Sequence, residues 1–183
     1  MKLTVLGQLH AHPLLQPTGE LDSGVYARLA ARVVAGDWAL GPDVYFVSPL
    51  YIYFLALALA VSGGAFLVAR TLQALLGVAA VLLAFDTTRR LFGSRAAWAA
   101  GLLSIGTGVL TFNEALILQS AIDPFLTALA LWSLIWAAGS GSVSVVRFAV
   151  AGLSVGLLCA NRPNALVVAG VVVLGLLLAR RSP

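Results

Sequence analysis

A bundle of transmembrane α-helices is the fold this sequence predicts, and three observations carry it. Hydrophobic residues make up 61% of the 183-residue chain and charged residues only 10%, with a mean hydropathy of +1.00, a balance that water-soluble domains do not sustain. The apolar residues are gathered into long runs bounded by charge, glycine or proline. Within the runs they follow one another without the period-two alternation of barrel strands. The predicted class is therefore all-α: a polytopic integral membrane helical bundle, with an external loop that carries an amphipathic interfacial helix.

At the start, "LTVLGQL" after Lys2 is too short for the apolar core of a secretory signal, and no small-residue cleavage site follows, so it reads as the tail of a helix. In "LDSGVYARLAARVVAGDW", Val25, Leu29 and Val33 form one helical stripe and Arg28 and Arg32 an adjacent one, which predicts the amphipathic helix. Asp22 or Ser23 is its expected N-cap, Gly36 ends it, and Trp38 anchors it among headgroups. The run "PLYIYFLALALAV" (49–61) has thirteen residues, about 20 Å of helix against an apolar core of about 30 Å, so it is expected to be re-entrant or interfacial. After "SGG" (62–64) comes "AFLVARTLQALLGVAAVLLAF" (65–85), long enough to cross, with Arg70 one turn inside and able to snorkel. Four further segments complete the set: 96–112, 124–138, 148–160 and 165–179. Within the third of these, "GLSVG" (152–156) predicts a small-residue packing face. The abrupt ending "LLLARRSP", like the opening, suggests a piece of a longer membrane protein.

The net charge of +4 does not indicate a nucleic-acid partner, because the basic residues fall singly or in pairs between apolar runs, as positive-inside sorting places them. If 49–61 does not cross, Arg89, Arg90, Arg95, Arg147, Arg180 and Arg181 share one side, the cytoplasmic one. Glu20, Asp22, Asp37, Asp43, Glu114 and Asp123 then lie opposite, six of the seven acids. If 49–61 does cross, Lys2, Arg28 and Arg32 join the cytoplasmic side, and charge count alone favours that arrangement. Segment length favours the first. The one cysteine, Cys159, excludes an internal disulfide and reads as a small packing residue. His10 and His12 lack a third ligand at a metal-binding spacing and read as loop residues. With Lys2 the only lysine, a Walker A phosphate loop is excluded.

An acid ahead of "YARLA…GDW", then "YFVSPLYIYFLALAL…GG", "ARTLQALLG", "RRLFGSRAAWAAGLL", "ILQSAIDPFLTALAL" and "GLLCANRPNAL", in that order, resembles the N-terminal part of GT-C glycosyltransferases. The likeness is to the branch of protein O-mannosyltransferases and lipid A aminoarabinose transferases, and it covers nearly the whole chain. Ser23 stands where many relatives have a second acid, and Ser48 where some have a lysine. The resemblance implies one transmembrane domain over 1–183, an incomplete GT-C module with an external catalytic loop (1–48) and interfacial and transmembrane helices (49–183). It implies transfer of a sugar from a polyprenyl-phosphate carrier to a lipid, glycan or protein acceptor at the external face, in a multi-pass protein of the bacterial inner (plasma) membrane. It also supports the arrangement in which 49–61 stays at the interface.

Such transfer needs a base for the acceptor's proton and cations for the leaving phosphate. The resemblance makes Asp22 the essential aspartate of the first external loop, and hence the candidate base. Arg70 and Arg162 lie at external segment ends, where a guanidinium can hold a phosphate at two points. Snorkelling, or pairing with Glu114 or Asp123, accounts for Arg70 equally well, while Arg162 stands in "NRPN", where Pro163 breaks the helix. Glu114 and Asp123 are ionisable residues at membrane depth, hence candidates for substrate binding. Asp123 before Pro124 also fits an ordinary N-cap, and Glu114 could cap a short interfacial helix. Tyr45 is a candidate cavity-lining residue or an interfacial anchor. A divalent metal ion is left open as a cofactor, with Asp22 and Asp123 as its candidate ligands. The rival classes are a transporter or flippase, with polar residues along a midplane path, and a non-catalytic membrane assembly subunit.

Overall fold

The computed structural model describes residues 4, 7–8, 12–18, 21–41, 47–139 and 144–179, and the regular elements among them are all helical. In chain order they are α1 (Asp22–Val34), α2 (Pro49–Ser62), α3 (Phe66–Phe92), α4 (Ser94–Gly106), α5 (Gly108–Ala115), α6 (Asp123–Ala138), α7 (Val145–Asn161) and α8 (Leu166–Ala179). Single 3₁₀ turns lie at Pro13–Leu15, Gln119–Ala121 and Pro163–Ala165.

The axis is α3, whose 27 residues make about 40 Å of helix. Among the described residues it alone is long and apolar enough to cross a bilayer, while α4 and α5 pass the same test only as a pair. The single segment expected over 96–112 is therefore broken: at Thr107, between Gly106 and Gly108, the backbone turns extended and the two helices bend by 50°. Glycine on both sides has little helix preference, and the Thr107 hydroxyl bonds back to the Leu103 carbonyl (2.8 Å), a contact that bends helices. Helices α4, α5, α6 and α2 all pack on α3, and α7 packs on α6. Small residues permit the closest of these approaches. Ala69, Ala74, Gly77 and Ala80 of α3 and Ala97 and Gly101 of α4 are buried, and a Cβ on Gly101 would stand 3.3 Å from Phe85. The packing face expected at "GLSVG" is placed otherwise. Ala151, Ser154 and Leu158 are the buried face of α7, whereas Gly152 and Gly156 border an apolar groove towards α8, with nothing within 4 Å of an added Cβ. Cys159 is half-buried on the same groove.

Helix α1 buries Tyr26, Ala30 and Val33, not the expected stripe of Val25, Leu29 and Val33. The face is rotated because Tyr26 is an anchor, its ring set edge-on to Tyr51 of α2 at 5.0 Å. The helix ends as expected at Gly36 (φ 101°), with the Asp37 N–H on the Arg32 carbonyl and the Gly36 N–H on that of Val33. Asp37 also pairs with the Arg32 guanidinium at 2.5 Å, so two of the loop's charges close its own helix. Trp38 is 69% exposed, as an interfacial anchor requires. Helix α2 ends at Gly63 and Gly64, both in the left-handed region, and the chain reverses into α3. Tyr51, at the start of α2, donates to Gln73 of α3 (2.8 Å), so α2 runs antiparallel along only the first turns of α3.

The far end of α3 carries a different chemistry. Asp86 accepts from Arg89, Arg90 and the Trp132 indole, and Arg90 and Arg147 lie over the rings of Trp132 and Trp136. The contacts thus give the bundle two ends: one with Asp86 and these arginines, the other with Asp22, Asp123 and Arg162.

Candidate active site

The second end is built where irregular backbone must be buried. Helix α5 stops at Ala115, and Leu116–Leu118 runs extended before the turn at Gln119–Ala121. Its carbonyls lose their helical partners, and two side chains of α3 replace them. Gln73 Nε2 donates to the carbonyls of Glu114 (2.7 Å) and Leu116 (2.9 Å), and Arg70 Nε donates to Ala115 (2.9 Å). A second nitrogen of Arg70 donates to the carbonyl of Leu15, which ties the N-terminal turn to the bundle. Arg70 is 2% exposed, so it neither snorkels nor reaches a lipid-facing surface. Glu114 is also buried, at the C-terminal end of α5, and lines neither cavity described below.

Asp123 is the first residue of α6 after Ile122, with Pro124 following it, and it makes no side-chain cap. Its carboxylate instead receives Asn161 Nδ2 on one oxygen and Arg162 Nε on the other, both at 2.5 Å. Helix α7 ends at Asn161 ahead of Pro163, as expected, and this places Asn161 and Arg162 against the start of α6. Asn161 is fully buried. Its Nδ2 also reaches the Gln119 carbonyl (3.2 Å), and its Oδ1 has no hydrogen-bond partner among the described residues. Arg162 is 44% exposed, and with Nε on Asp123 its two Nη groups have no acceptor among the described residues.

Asp22 stands opposite. It is the first residue of α1, preceded by Leu21 in the cap position, and no side chain caps the helix. A carboxylate in a first helical turn is favoured by the helix dipole without capping, which is why neither Asp22 nor Ser23 takes the expected role. Asp22 is exposed and borders two open cavities of about 340 and 370 Å³. The first is lined by Leu15, Leu21, Ser23 and the extended Leu116–Leu118; the second by Tyr26, Val47, Ser48, Pro49, Gln119 and Pro163. Tyr26 lies close enough to Asp22, Asp123 and Arg162 to feel the charge of each. Burial, the largest influence, pushes its phenol above the usual value, so it stays protonated and donates to Gln119 Oε1 at 2.9 Å. Ser48 donates to the carbonyls of Ala160 (3.2 Å) and Asn161, pinning the start of α2 to the end of α7.

The structure thus brings Asp22, Asp123 and Arg162 to one region and leaves Arg70 and Glu114 behind its wall. Tyr45 and His10 lie outside the described residues, and His12 is exposed near the N-terminal turn. Tyr26, Gln119 and Asn161 are residues at this end that the sequence reading missed, their only signal being a polar, uncharged side chain beside apolar runs; Ser48 stood out only as a departure from the lysine of some relatives. The donor set forms no all-protein metal cage among the described residues. Both oxygens of Asp123 are held by nitrogen donors, and among the described residues no three His, Cys, Asp or Glu side chains converge.

Comparison with curated proteins and with solved structures finds no match. The model of one family, dolichyl-phosphate-mannose-protein mannosyltransferase, matches residues 47–182, which takes in Ser48, Arg70, Gln119, Asp123 and Arg162 and begins after Asp22 and Tyr26. Since that stretch is well over half of the chain and contains both the α3 carbonyl clamp and the Asp123–Arg162 pair, the chain belongs to the dolichyl-phosphate-mannose-protein mannosyltransferase family.

Proposed function

We propose that this chain carries the donor-handling and base-bearing part of a membrane glycosyltransferase that uses a polyprenyl-phosphate sugar. The observation that carries the proposal is that Asp22, which borders an open cavity, and Arg162, whose outer nitrogens have no acceptor among the described residues, both act on the same tyrosine, Tyr26. The donor phosphate binds the two Nη groups of Arg162, a two-point contact that guanidinium geometry favours, while Asp123 and Asn161 hold the guanidinium in place. The sugar occupies the cavity that runs from Asp22 to Pro163, the residue after Arg162. An acceptor hydroxyl attacks the anomeric carbon, its proton passes to the Asp22 carboxylate, and the bond from that carbon to the phosphate oxygen breaks. The lipid phosphate leaves with the electron pair and its new charge stays on Arg162. Attack opposite the leaving phosphate inverts the anomeric centre. Arg70 and Glu114 act on the substrate only through the wall they help to build.

The proposed setting is a multi-pass protein of the bacterial inner membrane. Helix α3, the α4–α5 pair, α6, α7 and α8 cross, and α2 stays on the side of Asp22. The arginines around Asp86 face the cytoplasm, as positive-inside sorting prefers, and the site faces outside. Exposed Leu67, Leu75, Val78 and Leu82 along α3 and Val167, Val171 and Leu174 along α8 are the surface such a setting requires.

The test is Asp22→Asn in the full chain, with transfer and donor binding measured separately. Because Asp22 caps no helix, the variant is expected to fold and to bind the donor. Loss of a general base is expected to lower transfer by about 10²–10⁴-fold. Turnover near that of the wild type would remove Asp22 from the chemistry.

A further inference from the structure

The larger cavity at Asp22 has an unusual balance of hydrogen-bonding groups. Of its lining residues, Val47, Pro49 and Pro163 offer no side-chain polar atom, and the Asp22 carboxylate only accepts. The Ser48 hydroxyl has spent its proton on the α7 carbonyls, which leaves only its lone pairs for the cavity. The Tyr26 phenol sends its proton to Gln119 Oε1 at 2.9 Å. With Oε1 taken by the Tyr26 hydroxyl, Nε2 is the end left over, and it has no acceptor among the described residues. Among the described lining side chains, Gln119 is thereby the one with a proton to spare, beside the acceptors Asp22 and Ser48 on a wall otherwise apolar.

We propose that Gln119, locked by Tyr26, is a specificity-determining residue that reads the sugar of the donor. Its Nε2 donates to a sugar hydroxyl oxygen, while the hydroxyls' own protons go to Asp22 and the Ser48 lone pairs. A polyhydroxylated ring supplies acceptors and donors together, which is what one fixed donor among several acceptors selects. The inference rests on the glycosyltransferase reading above, since that reading puts the sugar in the cavity that Asp22 and Gln119 line. It adds a residue that neither the ionisable pattern nor the family match singles out. The Gln119 side chain can be replaced without disturbing the backbone carbonyl that receives Asn161.

The experiment measures binding of two lipids, decaprenyl-phosphate mannose and bare decaprenyl phosphate, to the full chain in lipid nanodiscs. The wild type is expected to bind the sugar-bearing lipid more tightly. Gln119→Leu is expected to weaken that lipid about three- to tenfold, the worth of a lost hydrogen bond, while leaving bare decaprenyl phosphate unchanged. Tyr26→Phe keeps the ring against Tyr51 but frees the amide to turn, so a smaller loss for the sugar-bearing lipid alone is expected. Equal weakening of both lipids in Gln119→Leu, or no weakening of either, would overturn the assignment. So would a wild type that does not distinguish the two lipids. A wild type that binds neither lipid would sink the glycosyltransferase reading itself, and the sugar contact with it.

Discussion

Arg162 is the residue on which the donor phosphate depends, and its neighbours make its test specific. Arg162→Ala removes the charge and the fork, whereas Arg162→Lys keeps a charge but cannot reach Asp123 and a phosphate together through a planar group. Donor binding is expected to fall in both variants and further in Ala, measured with a polyprenyl-phosphate sugar; unchanged binding in both would return Arg162 to holding α6 against α7. Arg70 shows the opposite case, a guanidinium whose protons go to the carbonyls of Ala115 and Leu15. The two arginines looked alike in the sequence because both lie near the external end of an apolar run. What separates them is burial, which depends on the chain 45 residues away in one case and 39 in the other. Asp22, Asp123 and Arg162 were legible because an ionisable residue in so apolar a chain stands out. Tyr26 and Gln119 were not, since their meaning lies in a bond across 93 residues that no local pattern announces.

At the level of elements, the broken span is what makes the site possible. A straight helix through 96–122 would leave no extended segment to wall the Asp22 cavity, and an extended segment with unpaired carbonyls could not be buried. Gln73 resolves that conflict, with Tyr51 holding its amide oxygen so that both amide protons face the Glu114 and Leu116 carbonyls. Gln73→Leu is therefore expected to strand two carbonyls and the Tyr51 hydroxyl. It should cost roughly 1–3 kcal/mol for each buried group left unsatisfied. The loss reads as a lower thermal midpoint in detergent, with faster hydrogen exchange concentrated at 114–118; a uniform increase over the whole bundle would instead mark general loosening. The existence and order of the helices were legible from the apolar runs, as were the stops at Gly36, Gly63 and Pro163, whose backbone chemistry is local. The break at Thr107 was not, because an apolar run hides a change of direction. The small-residue faces were half legible: glycines at 152 and 156 resemble a packing seam, but which side of a helix meets a neighbour is decided by partners elsewhere in the chain.

Across the whole molecule, the two charged ends and the direction of α2 bear on the same question. Asp86 follows Gln73 by thirteen residues, about 20 Å of helix. Over that depth α3 is accompanied by α4 to α6, but α2 has already turned away from the Asp86 end, because it meets Gln73 at its start and joins α3 at Gly63–Ala65. The proposed arrangement therefore puts α1, α2 and the Pro163 turn on the outer side and the α3–α4 and α6–α7 connections inside. Single cysteines in a Cys159→Ala background test it at exposed positions. Ala39→Cys and Asn164→Cys are expected to react with a membrane-impermeant thiol reagent applied to intact cells, whereas Ser94→Cys and Val145→Cys should react only after the membrane is opened. Labelling of Asn164→Cys without Ala39→Cys would mean that α2 crosses, and Asp22 could then not share a membrane face with Arg162. Labelling of Ser94→Cys and Val145→Cys from outside would invert the bundle, and the arginines around Asp86 would lie on the side that basic loops avoid.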